Sequence, residues 1–182
     1  MTTNIDISNR ALAEIGTRSQ ITSFNPATDA SQEAAYCNLL YNPFRDFLLR
    51  NGDYEFALRS ALTVVAGGSP FPWTFSYTYP ADCVRVKQLI PLNVNLLDPY
   101  PAEFSILGQG GSRVIATNVA SERVVYSSNG DSEDMWDSMF SESMVRFLGS
   151  GLMFALENGG NPSARLLNDA LQFAEIASQR NG

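Results

Sequence analysis

The chain has 182 residues, of which 45 % are apolar and 17 % charged, so it can bury a core of its own and is too apolar for intrinsic disorder. Twelve basic against nineteen acidic residues leave a net charge of −7, the wrong sign for a module that displaces counterions from duplex phosphates. There is no histidine, which removes the usual general base near neutral pH, the commonest metal ligand and the ordinary pH switch.

From the N-terminus, Ile7, Ala11, Leu12 and Ile15 recur at near-helical spacing, with Asp6 as N-cap and Gly16 as stop, which predicts a short amphipathic helix. Residues 17–31 are rich in Ser, Thr, Asn and Pro and read as a loop that tucks Ile21 and Phe24 into the body. Cys37, Leu40, Tyr41, Phe44, Phe47 and Leu48 then predict a second helix over 30–50, closed by Asn51 and Gly52. Pro43, lacking an N–H, is expected to kink or split it.

The period then changes. Trp73, Phe75, Tyr77 and Tyr79 alternate with small residues, which predicts a strand over 73–79 with four rings on one face. Residues 54–65 and 83–90 are expected to be extended. Strands at 104–107 and 113–116 flank Gly108-Gln109-Gly110-Gly111-Ser112, a hairpin signature because glycine supplies the positive φ of tight turns. Residues 123–126 close a strand-rich region expected to pair antiparallel. Helical period returns over 133–156, with Trp136, Met139, Phe140, Met144, Phe147, Leu148 and Leu152 on one apolar face. Asn161-Pro162 starts a last helix that is expected to run to about Ser178.

Together these predict an α+β fold: a four-helix bundle of two N-terminal and two C-terminal helices, with a small antiparallel β module inserted between helices 2 and 3. The expected divisions are 1–53, 54–128 and 129–182. No run approaches the ~18 apolar residues of a membrane span, and residues 1–6 lack a basic region followed by an apolar one, so neither membrane insertion nor Sec export is expected.

Few residues offer chemistry. Glu133, Asp134, Asp137 and Glu142 could pair as acid and base or hold a hard cation, but acidic residues at a helix start are favoured there by its positive end. The glycines at 108–111 are followed by no Lys-Ser/Thr, as a phosphate loop would require. Ser141 and Ser143 lie in no G-x-S-x-G turn. Cys37 and Cys83 form no CxxC pair and read as buried thiols. Arg45, Arg50 and Arg59 stand in apolar sequence and suit ion pairs within an assembly. The aromatic strand could stack sugars or single-stranded bases, or line a core or interface. No catalytic residue, cofactor or metal site is expected.

Longer runs carry a resemblance. A-L-A-E-I-G at 11–16 followed by Ile21 and Phe24, R-D-F-L-L-R at 45–50, E-F-A-L-R-S-A-L at 55–62 and Y-T-Y-P-A-D-C-V-R-V at 77–86 are similar in order and spacing to the tail tubular protein A, or head-tail adaptor, family of short-tailed bacteriophages. So are the placement of Phe140, the small residues at 149–151 and the Ala-rich last helix. Pro43 and Tyr54 stand where that family has an unkinked helix and a tryptophan. The resemblance implies a non-enzymatic virion protein of the neck and tail region: a ring of about twelve copies with heterologous, closing contacts, joining portal to tail nozzle. Double-stranded DNA would pass through its channel without sequence-specific binding, repelled by the ring's acidity. It further implies a portal contact at the C-terminal segment, Ser178, Gln179, Arg180, Asn181 and Gly182, and makes Phe71, Trp73 and Tyr100 candidates for subunit or nozzle contacts. The alternatives are a carbohydrate-binding or hydrolytic tail component, which would expose rings beside an acidic groove, and a neck or head-completion protein of another tail type.

Overall fold

Thr3 caps the first helix, α1 (Asn4–Glu14): its hydroxyl accepts the Asp6 N–H at 3.1 Å while the Asp6 carboxylate accepts the Thr3 N–H at 3.0 Å. This reciprocal box satisfies two free helix donors, so Asp6, the expected cap, lies one turn inside. Gly16, at φ 80°, ends the helix; its N–H reaches Ala13 O and that of Thr17 reaches Leu12 O, the paired bonds of a Schellman stop. The computed structural model describes residues 2–91, 102–157 and 161–180. These divide into two compact units, one running to Phe56 and resuming at Asp131, the other spanning Ala57–Gly130.

In the helical unit, the loop after α1 is held by Asn9, whose side-chain amide donates to Ile21 O and accepts from Ile21 N–H. Ile21 is thereby buried, and Phe24 packs on Tyr41 with ring centroids 5.6 Å apart. Helix α2 (Gln32–Asn51) starts at Ser31, whose hydroxyl accepts the Ala34 N–H, and runs unsplit through Pro43. The carbonyl that loses its partner there is that of Leu39, an exposed position where water can take over. A 3-10 turn, Glu133–Met135, leads to α3 (Ser138–Glu157), and α4 (Asn161–Arg180) follows. Asp137 caps α3 by accepting the Phe140 N–H at 2.8 Å.

The expected four-helix bundle with one small β module is not what forms. The helices come as two pairs separated by the strand region, and α3 is the hub on which α1, α2 and α4 each pack, while α1 and α2 scarcely touch. Residues 143–145 and 147–150 of α3 are buried, more than the single stripe of an amphipathic bundle helix, because three helices meet this middle stretch, while Ser138 and Phe154 nearer its ends stay exposed. Ser143 donates to Ala170 O at 2.7 Å, and Arg146 pairs with Asp169 at 3.7 Å while lying over the Phe173 ring, which fixes α4 on α3. Phe140, fully buried, gathers Tyr54, Phe56 and Trp136 at centroid distances of 4.7, 5.0 and 4.8 Å.

The β portion holds two three-stranded antiparallel sheets. One has β1 (Leu58–Leu62), β6 (Ser121–Ser128) and β3 (Cys83–Pro91) in that order; the other has β2 (Phe75–Thr78), β5 (Ser112–Thr117) and β4 (Phe104–Gln109). After β1 the chain changes sheet: Thr78 N–H donates to Val64 O and Ala66 N–H to Ser76 O, flanking the bridge between Val65 and Tyr77. Tyr77 and Ile115 of one sheet share a core with Cys83, Val86, Leu89, Val124 and Tyr126 of the other. The β4–β5 hairpin closes through Gly110 and Gly111, at φ 58° and 82°, the two successive positive values a type I′ turn requires.

Candidate functional site

The residues that could have done chemistry are engaged in separate structural contacts. Asp137 caps α3, Glu133 accepts the Tyr41 hydroxyl at 3.0 Å, Glu142 pairs with Arg10, and Asp134 accepts the Thr2 N–H. Burial, with the Glu133 charge beside it, pushes the Tyr41 phenol far up, so it serves as a neutral donor. Among the described residues no three His, Cys, Asp or Glu side chains converge as a metal site would need. Ser143 spends its hydroxyl on Ala170 O. Cys37 is buried and its thiol is pushed up to about 11, mainly by burial, which leaves little nucleophilic thiolate near neutral pH.

The aromatic stripe is shorter than the alternation predicts and turns inward. Strand pairing covers only Phe75–Thr78; Tyr77 is buried, its hydroxyl accepts the Ser121 N–H at 2.8 Å, and Phe75 and Tyr79 pack on the same core. A platform for sugars or bases needs rings open to solvent, and these rings fill the space between two sheets. Burial likewise raises the Tyr79 hydroxyl to about 12.

Phe71 behaves differently. It is 96 % exposed, between Pro70 and Pro72, in a loop that also holds half-buried Trp73. Tyr100, Asn181 and Gly182 lie outside the described residues, while Ser178, Gln179 and Arg180 form the end of α4.

On the helical unit, part of the apolar faces that the periodicity predicts is left uncovered, together with residues outside them. Leu39 of α2 and Phe154 of α3 are 65 % and 70 % exposed. With Leu40, Phe44, Phe147, Gly151 and Leu167 they line a groove of about 560 Å³ among α2, α3 and α4, to which no charged side chain contributes among the described residues. Gly151 sets its floor, since a Cβ there would stand 2.6 Å from the Phe44 ring. The β unit exposes Leu62 at the end of edge strand β1, Val64 and Val65 just after it, and Phe71 in the loop before β2. Single exposed apolar residues are ordinary, but grouped ones rimmed by polar sequence mark contact sites. The signal was present in α2, where Leu39 falls outside the stripe of Cys37, Tyr41 and Leu48; periodicity reports which residues are apolar and not whether a neighbour covers them.

No protein-family model matches the chain, and no curated protein matches it.

Proposed function

We propose that the chain is a structural subunit of a phage virion, a head-to-tail adaptor that assembles as a ring between portal and tail nozzle. One observation carries this reading: each of the two units leaves apolar side chains uncovered, those of the α2–α3–α4 groove on one and Phe71, 96 % exposed, on the other. A head-to-tail ring needs two unlike, complementary patches on every copy, whereas a two-fold dimer needs one patch that fits itself. The low charged fraction and net charge of −7 suit a subunit whose surface is covered by neighbours and whose channel lets DNA slide. The sequence resemblance supplies the partners, portal and nozzle, and the ring of about twelve copies.

The test is mass photometry of portal particles from the same phage, alone and mixed with the purified chain. A mass increase corresponding to one ring of subunits per portal is the expected result, and no added mass removes the adaptor reading. A chain truncated after Ala177 is expected to load onto portal more weakly than the intact one; undiminished loading would take Ser178, Gln179, Arg180, Asn181 and Gly182 out of the contact.

A further inference from the structure

We infer that Phe71 of one copy seats in the α2–α3–α4 groove of a second copy of this chain, so that the ring is closed by an aromatic knob and an apolar hole. This contact rests on the ring reading above and gives it a specific joint.

The knob is built to project. Trp73 N–H donates to Pro70 O at 2.9 Å, the Ser69 hydroxyl to Thr74 O at 2.8 Å, and Thr74 N–H to the Asn118 side chain at 3.0 Å. These bonds brace the loop on both sides of a phenyl ring that touches almost nothing of its own chain. The braced backbone spares the loop's ordering cost on docking, so that only the rotamer freedom of the phenyl ring itself is lost. Aromatic anchors of this kind in desolvated pockets are where interface energy concentrates.

Charge decides the occupant. With a net charge of −7, two copies repel, and they meet at least cost where neither brings charge. Residues 60–81 contain no Asp, Glu, Lys or Arg, and Phe71 stands in the middle of that stretch. Among the described residues the groove is lined without charge as well, and its Ser150 hydroxyl is already spent on Phe147 O at 2.7 Å. It offers a polar ligand little to bind, whereas its volume admits a phenyl ring. A second hollow, among Phe47, Asn51, Tyr54, Leu171 and Glu175, carries a carboxylate and suits an apolar anchor less. Because knob and hole are different surfaces on the same chain, each copy can give one and receive the other, as a closed heterologous ring requires.

The experiment uses four samples of the full chain in sedimentation velocity over a concentration series: wild type, Phe71→Ala, Phe154→Glu, and an equimolar mixture of the two variants. Both side chains are exposed, and unchanged thermal melts would confirm intact folds. Wild type is expected to self-associate, and each variant alone to do so at least about 30-fold more weakly, as for a hot-spot residue. The mixture is expected to form dimers and nothing larger, since only the Phe71 of one variant and the groove of the other remain competent. Wild type that stays monomeric to its solubility limit, Phe71→Ala that associates like wild type, or a mixture without dimers would each overturn the contact. Adding portal separates this failure from that of the adaptor reading. Rings of both variants on portal would sink the knob and keep the adaptor, whereas Phe71-dependent self-association without portal loading would do the reverse. Loss of loading by Phe154→Glu alone would assign the groove to portal and also overturn the contact.

Discussion

Phe140→Ala is expected to destabilise the helical unit by about 3–5 kcal/mol, the cost of removing a buried aromatic ring and leaving its cavity. Phe140 is fully buried, and Tyr54, Phe56 and Trp136 all meet it with tilted or edge-on rings. These come from the segment after α2 and from the approach to α3, so one ring ties together chain pieces about 80 residues apart. Collapse into the space is hindered because Tyr54 is itself pinned: its ring lies over Gly52, where a Cβ would come within 2.4 Å of it, and its hydroxyl donates to Ala174 O at 3.4 Å. Urea titration followed by tryptophan fluorescence measures the loss, since Trp136 is in contact with the deleted ring. Phe154→Ala, at a 70 % exposed position, is the control, with a change within about 0.5 kcal/mol. A Phe140→Ala cost below that of the control would mean that this cluster is not what holds α3.

Much of the local structure was legible in the sequence, because its determinants are local. Gly16 stops α1 through a backbone value few other residues adopt, Gly110 and Gly111 make the hairpin turn, and Asn161 opens α4 with Pro162 behind it. The T-x-x-D run from Thr3 to Asp6 contains both halves of the capping box, but the apolar pattern begins only at Ile7, so periodicity alone points to Asp6 as the cap. What was not legible is long-range. The strands were recognised, but their division into two sheets depends on the crossing at Val64 to Ala66 and on β1 pairing with β6, some 65 residues away. The small residues Gly149, Ser150 and Gly151 signal a close approach to α3, and Phe44 and Leu40 of α2 do lie against Gly151, but which helices converge there is not written in α3 alone. As for the candidate site, Phe71 enters the sequence reading only through the family resemblance, although its setting between Pro70 and Pro72 is a local signal. Its proposed groove was not marked, since Leu39, Phe154 and Leu167 belong to three helices brought together only by folding.

Leu89→Ala is expected to cost about 2–5 kcal/mol in the β unit, the range for truncating a fully buried leucine. Leu89 is wholly buried and stands opposite Val124 in the β3–β6 register, within the core that Tyr77 and Ile115 reach from the other sheet. Every side chain in that core belongs to Ala57–Gly130, so the lost contacts are internal to one unit. Hydrogen exchange should therefore accelerate across β2, β3, β5 and β6 while the amides of α3 keep their protection, because a unit with its own core can open on its own. Equal acceleration in α3 would show that the two units open as one, and the Phe140→Ala loss would then spread to the strands as well. Local opening also bears on assembly: Phe71 leaves the loop between β1 and β2, so a loosened β core should blunt the knob and weaken self-association even though residue 89 is buried far from any partner. If association survives undiminished in Leu89→Ala under conditions where β2 amides exchange freely, the bracing of the loop by Thr74 and Asn118 does not depend on the sheet beneath it.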